Sequence, residues 1–404
     1  MGSSERPFRD YWEDWEQSLH RHGYQPRTID QYLSKCRTFE SFVAEGGTAL
    51  GSLDESCVQA FLVDKLAQRQ HRNERAARSH WSRPLDLLLE YLRRRGAVPA
   101  SAELGPLDHP LLIEYASFLR AHRAVIERTI EGQTRHLRRL LDHLGARPEG
   151  DLVTQVSIER IDGFFVEIAR RVSRTTVNSA CSAVRGFFRY LHMRGLLQTD
   201  IARQVARPRL YSLSSLPRAI DWREVERTLA GIDRTTLVGA RDYAVLVLLA
   251  YCGLRAGEVA GLCLDDIDWS HDTIRLGRPK PKVVDHLPLV PVVGEGLIEY
   301  LRRRPTSPFR HVFLKVLAPA GPLSRPSVTW IARKYLLAAK VEISHLGAHT
   351  FRHSYAVRLL RQGFSLKTIG DALGHRNPQS TFIYTKAAVD DLRSVSLDIT
   401  GVRP

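Results

Sequence analysis

Apolar residues recur every three or four positions through most of the chain, the spacing that lines one face of an α-helix. Ile29, Leu33, Phe39 and Phe42 mark such a face in "RTIDQYLSKCRTFESFVAEGG", which begins at Arg27. Ile130, Leu137, Leu140, Leu141 and Leu144 mark another in "RTIEGQTRHLRRLLDHLGARP", which begins 101 positions later at Arg128. A further pair of look-alikes, "EYLRRRGAV" from Glu90 and "RYLHMRGLL" from Arg189, lies 99 positions apart. The segments carry a glycine suited to the left-handed residue that ends many helices. The pattern predicts two successive units of four or five helices, over about 1–104 and 105–210, joined by the Gly/Pro-containing "GPLDHP".

The pattern changes near Asp221. "RPRLYSLSSLPRAI" (207–220) reads as a Pro/Ser linker, and "DWREVERTL" opens a helix with Asp221 as N-cap and Glu224 three residues on. An apolar helix is predicted over 242–252, followed by "DTIRLGRPKPKVVDHLPLV" (272–290). Its β-branched residues around a Gly/Pro/Lys centre predict a small hairpin or sheet. Helices resume around 294–303, 324–340, 350–362 and 366–373. The fold class is therefore mainly α: two N-terminal helical domains and a C-terminal helical domain, 216–404, with a small antiparallel β-sheet. The longest apolar run, "YAVLVLLAYCGL" (243–254), is too short to cross a bilayer and is closed by Arg255. The N-terminal stretch "MGSSERPFRDYWEDWEQ" has no apolar signal core.

Charge narrows the function. Lys plus Arg number 59 against 44 Asp plus Glu, a net charge of +15, which fits a polyanionic partner, nucleic acid above all. Basic residues interleave with both helical units: Arg69, Arg72, Arg75, Arg78 and Arg83 in one, Arg123, Arg128, Arg135, Arg138 and Arg139 in the other. No basic amphipathic terminal helix supports a membrane surface instead. The five cysteines, Cys36, Cys57, Cys181, Cys252 and Cys263, include no close pair and read as small buried hydrophobes of a reduced cytosolic protein.

Four stretches carry candidate chemistry: "CGLRAGEVAGL", "GRPKPKVVDHLPL", "HTFRHSYAVRLL" and "LGHRNPQSTFIYT". In order and spacing they resemble the signature boxes of phage-integrase-type tyrosine recombinases. The unit at 105–210 resembles the SAM-like core-binding domain of that family, and the first 104 residues look like a second domain of this type, which is less usual. Breaking a DNA phosphodiester needs a nucleophile, neutralisation of charge on a pentacoordinate phosphorus, and a proton for the leaving 5′ oxygen. Two guanidiniums can take the place of a metal, because each forks onto non-bridging oxygens and stays charged.

The resemblance gives that role to Arg255 and Arg352, with Glu258 holding Arg255. It makes Lys280 the general acid, although Pro279 and Pro281 depart from the family's Gly-Lys-Gly context and leave Lys282 as an alternative. His349 is implied to assist proton transfer at the tyrosine, His375 to bond a phosphate oxygen, and His353 to support its box. Tyr384 is the implied nucleophile, a poor one until cationic neighbours lower the cost of its phenolate. Two metal alternatives stand beside this. Asp265, Asp266 and Asp268 also read as an ordinary acidic turn, and His345, His349 and His353 are interrupted by Gly347. No cofactor and no metal are expected.

The implied activity is site-specific strand exchange through a 3′-phosphotyrosyl intermediate, for integration, excision or transposition of a mobile element. The implied partners are double-stranded DNA, a homo- or hetero-tetramer on two sites, and accessory recombination proteins, in the bacterial cytoplasm at the nucleoid. The tail at 390–401 is amphipathic and suits docking on a neighbouring subunit or on its own domain. Rival readings are a type IB topoisomerase, a non-catalytic DNA-binding protein of the same fold, and a metal-dependent nuclease.

Overall fold

The computed structural model describes residues 8–67, 74–99, 109–123, 125–146, 156–209, 219–277, 285–344, 346–375 and 377–385. The chain divides into two compact units, one of residues 1–11 and 34–212, the other of 12–33 and 213–404.

The N-terminal half carries eight long helices among the described residues: α1 (Trp12–Arg21), α2 (Pro26–Glu45), α3 (Glu55–Ala67), α4 (Glu74–Arg94), α5 (Pro110–Arg123), α6 (Glu127–His143), α7 (Ile158–Ala169) and α8 (Arg174–Met193). The repetition read from the sequence extends to the buried register. Trp12, Trp15 and Leu19 of α1 are buried, as are Leu112, Tyr115 and Leu119 of α5. Ile29, Leu33, Cys36, Phe39 and Val43 along α2 correspond to Ile130, Thr134, Leu137, Leu140 and Leu144 along α6 and just past its end, all buried. Leu85, Leu88, Leu89, Tyr91 and Leu92 of α4 correspond in the same way to Val184, Phe187, Phe188, Tyr190 and Leu191 of α8.

The helix ends repeat as well. Gly47, Gly96, Gly145 and Gly195 all adopt positive φ, between 61° and 73°. Beyond each, the next N–H reaches back to a carbonyl five residues earlier, as in Thr48 N to Val43 O at 3.1 Å and Ala146 N to Leu141 O at 2.9 Å. These are Schellman-type caps, which satisfy carbonyls the helix leaves unpaired.

The C-terminal domain is built on α10 (Leu237–Tyr251), which follows α9 (Trp222–Ala230). Residues 239–250 of α10 are buried apart from the half-buried Tyr243, so the apolar run is the central helix of a core rather than a surface stripe. Even its charged pair is enclosed. Arg241 donates to Asp242 Oδ1 at 2.7 Å and to the Leu314 carbonyl at 3.2 Å, while Tyr335 donates to Asp242 Oδ2 at 3.1 Å. Both buried charges are therefore partnered, which such burial requires.

Asp221 caps α9 as predicted, accepting from Arg223 N at 2.9 Å, but Glu224 faces Arg227 at 3.5 Å instead of closing a capping box. The predicted hairpin is present as β2 (Thr273–Leu276) and β3 (Asp285–Pro288), with β1 (Ile267–Asp268) completing a three-stranded antiparallel sheet in the order β1-β2-β3. Ile274 pairs with Leu287 and Leu276 with Asp285. The remaining helices are α11 (Ala256–Gly261), α12 (Pro291–Leu301), α13 (Arg325–Ala338), α14 (Ala348–Arg361), α15 (Leu366–Leu373) and the short α16 (Gln379–Phe382). No described helix is long and apolar enough to cross a membrane.

Candidate active site

The site is assembled where α10 ends. Gly253 turns the chain at φ +59°, a conformation that L side chains rarely adopt, and Arg255 then opens α11. Glu258, one turn on, accepts from the Arg255 backbone N–H at 2.8 Å and from its Nη1 at 2.7 Å. The guanidinium is thus fixed by a charge-assisted pair at the helix start. Its Nη2 donates to the carbonyl of Gly374 at 3.0 Å. Gly374 is the left-handed cap of α15, with φ +60°.

Arg352 lies on α14 and is only 4% exposed. Its Nη1 donates to the carbonyl of Gly253, and its Nη2 donates to that of Leu373 at 2.6 Å. Each arginine is therefore tied to the turn at 373–374, and two left-handed glycines supply carbonyls to the pair. Sequence reading found the arginines and missed these glycine carbonyls. The signal was present in "CGL" and "LGH", each a glycine directly after an apolar helix.

A cleft of about 1100 Å³ opens over this arrangement, lined among others by Arg255, Arg275, Arg325, His349 and His375. The excess of basic groups suits an anionic guest. Gly277, the last described residue after β2, also lines it. Lys280 and its alternative Lys282 lie outside the described residues.

The histidines divide in position. His349 lines the cleft. His375 also lines it, and its Nδ1 meets Thr381 Oγ1 at 2.8 Å. His353, one turn beyond His349 on α14, places Nδ1 3.0 Å from the Tyr384 hydroxyl. Tyr384 is 1% exposed and packs among Ala356, Val357, Ile369 and Leu373. Its ring lies parallel to that of His375, with centroids 6.3 Å apart. Burial pushes its phenol up to about 12, against the opposing pull of Arg352 and Arg255. The structure thus brings Arg255, Glu258, His349, Arg352, His353, His375 and Tyr384 into one neighbourhood.

The acidic turn is otherwise occupied. Asp265 pairs with Arg310, Asp266 accepts from Cys263 N at 2.9 Å, and Asp268 accepts from Ser270 N at 3.0 Å. Among the described residues no group of three or more His, Cys, Asp or Glu is placed to hold a metal ion. His345 lies outside the described residues.

Residues 218–390 match the model of the phage integrase family, and residues 112–195 match that of the phage integrase N-terminal SAM-like domain. A protein of Sinorhizobium fredii (strain NBRC 101917 / NGR234), y4rA, provisionally named an integrase/recombinase, is 35% identical over 90% of this chain and 87% of its own length. Tyrosine recombinase XerC of Syntrophus aciditrophicus (strain SB) is 30% identical over 56% of this chain and 74% of its own. In fold, the chain is similar to the XerH site-specific recombinase bound to palindromic difH substrate, with TM-score 0.56 and 18% identity over 70% of this chain and 83% of that one. It is also similar to the Tn1549 transposon integrase in complex with transposon right end DNA, with TM-score 0.53 and 19% identity over 71% of this chain and 99% of that one. The chain belongs to the phage integrase family of tyrosine recombinases, enzymes that transfer DNA strands.

Proposed function

We propose that this recombinase is site-specific and acts in integration, excision or transposition of a mobile element, with Tyr384 as its nucleophile. The observation that carries the assignment is that Arg255 and Arg352 both bond to the turn at 373–374, which leads directly into the segment bearing Tyr384. A phosphate drawn to these guanidiniums is thereby brought next to the tyrosine segment. Tyr384 Oη attacks phosphorus, its proton leaves, and a 3′-phosphotyrosyl bond replaces the bond to the 5′ oxygen. Lys280 protonates that departing oxygen. Arg255 and Arg352 neutralise the charge on the pentacoordinate phosphorus, His375 donates to a phosphate oxygen, and His349 assists proton movement at the tyrosine. Glu258 holds Arg255 in place. A 5′-hydroxyl of a partner strand then reverses the step, so the phosphodiester energy is conserved without ATP.

The same reading divides the chain into a helical DNA-binding-like domain (1–104), a core-binding domain (105–210) and the catalytic domain (216–404). These assemble as a homo- or hetero-tetramer on two DNA sites, with accessory recombination proteins, in the bacterial cytoplasm at the nucleoid. No cofactor enters the chemistry.

The test uses a nicked suicide duplex carrying the recombination site, defined by sequencing the junctions formed in cells. Wild type should form a covalent adduct mapping to Tyr384 by mass spectrometry, and should do so in EDTA. Tyr384→Phe should bind DNA and form none. An adduct on another tyrosine, or strict need of a divalent ion for cleavage, would overturn the assignment.

A further inference from the structure

Tyr384 is not among the residues that line the cleft, although Arg352 and Arg255 lie near enough to act on its phenol. Its ring is sealed among α14 and α15 side chains, and its hydroxyl meets His353 Nδ1 at 3.0 Å. His353 immediately follows Arg352, so the residue beside a phosphate-binding arginine is the one that touches the nucleophile. The segment is also held by its own polar contacts. Thr381, 3% exposed, meets His375 through its hydroxyl at 2.8 Å, and the Tyr384 N–H, two residues past the four-residue helix, reaches back to Thr381 O at 3.1 Å. To attack a phosphate in a cleft lined by Arg255, His349 and His375, the ring has to leave this pocket.

We infer that His353 is a positioning residue that stores Tyr384 in a withdrawn pose, so that their hydrogen bond sets how readily the nucleophile is released to DNA. The inference rests on Tyr384 being the nucleophile. A buried phenol satisfied by one side-chain partner is stable where it is, and the same phenol without that partner carries an unsatisfied polar group. On this inference the attacking pose does not use the bond, so its loss weakens the stored pose alone. His353 works on the population of the two poses, not on the chemical step. Burial, which disfavours the phenolate, keeps the stored tyrosine chemically quiet as well.

The test compares His353→Ala and His353→Asn, the latter keeping a polar group near the Nδ1 position. Two readouts are taken: single-turnover cleavage of the suicide duplex, and acetylation of Tyr384 by N-acetylimidazole in DNA-free protein, mapped by mass spectrometry. His353→Ala should raise both, roughly tenfold for the loss of one buried hydrogen bond, and His353→Asn should sit near wild type. If the Ala chain fails to fold, His353→Phe refills the volume without a partner for the hydroxyl and gives the same comparison. Slower cleavage at unchanged Tyr384 acetylation would instead assign His353 to proton transfer and overturn the storage role, as would no change in either readout. Persistence of the covalent adduct in Tyr384→Phe is a separate result, and it would sink the nucleophile assignment whatever His353 does.

Discussion

On the proposed reading single residues carry the chemistry, and two of them make separable predictions. Lys280 follows from its box alone, since the loop joining β2 to β3 lies mostly outside the described residues. A 5′-phosphorothiolate substrate leaves as a thiolate and needs no proton, so it should rescue Lys280→Ala while Lys282→Ala shows little defect. The reverse pattern in single-turnover cleavage would move the acid to Lys282. Tyr384 predicts a pH dependence. Its phenol is raised from 10.0 to about 12 in the folded chain. The unfolded chain therefore gives up this proton first, and the stability contributed below pH 10 is lost as pH rises toward 12. Other buried tyrosines, Tyr115 among them, act in the same direction. Urea midpoints between pH 9 and pH 11 should thus fall less steeply for Tyr384→Phe than for wild type, and equal slopes would refute the assignment of this share to Tyr384.

At the scale of elements, the decisive device is the helix end. Gly253→Ala places a Cβ 2.5 Å from Tyr355 Cδ1 and 2.9 Å from Leu373 Cδ2, at φ +59°. That clash should cost about 1–3 kcal/mol and displace the carbonyl that holds Arg352, lowering cleavage by an order of magnitude or more. Gly363→Ala is the control. It has φ +86° with nothing within 4 Å, so it should lose stability but keep cleavage. Equal losses of cleavage in the two would show that strain alone is responsible. The helices themselves were legible because Ile130, Leu137, Leu140 and Leu144 repeat at the helical period and all face the core. The arginine and tyrosine candidates came from compact local boxes of the sequence. What periodicity could not supply was contact between distant boxes, such as His353 with Tyr384, 31 residues apart. Nor could it supply the choice Glu224 makes between its helix cap and Arg227, where two local partners compete.

Across the whole molecule, the duplicated register is not matched by duplicated charge. Residues 8–99 hold 14 Lys plus Arg against 13 Asp plus Glu, whereas 109–209 hold 17 against 10. Of the exposed arginines Arg128, Arg135, Arg138 and Arg139 on α6, only Arg128 and Arg138 have arginine counterparts on α2, Arg27 and Arg37, the others being Ser34 and Thr38. A core specified by buried positions tolerates such exchange on the solvent face, since those substitutions leave packing untouched. The first repeat can therefore keep the fold while contacting fewer phosphates. Salt dependence reads that number directly, because log affinity falls with log salt by about 0.9 per phosphate neutralised on duplex DNA. Replacing Arg128, Arg135, Arg138 and Arg139 by Gln should flatten the slope by roughly 3 to 4, and replacing Arg27 and Arg37 by roughly 2 at most. Deleting residues 1–104 should flatten it at least as much as replacing that pair, since it also removes Arg69, Arg72, Arg75, Arg78 and Arg83. Binding to a mixed-sequence duplex, followed by fluorescence anisotropy from low to moderate salt, supplies the slopes. A deletion that leaves slope and affinity unchanged would remove the first repeat from the DNA interface and make it a unit that binds protein.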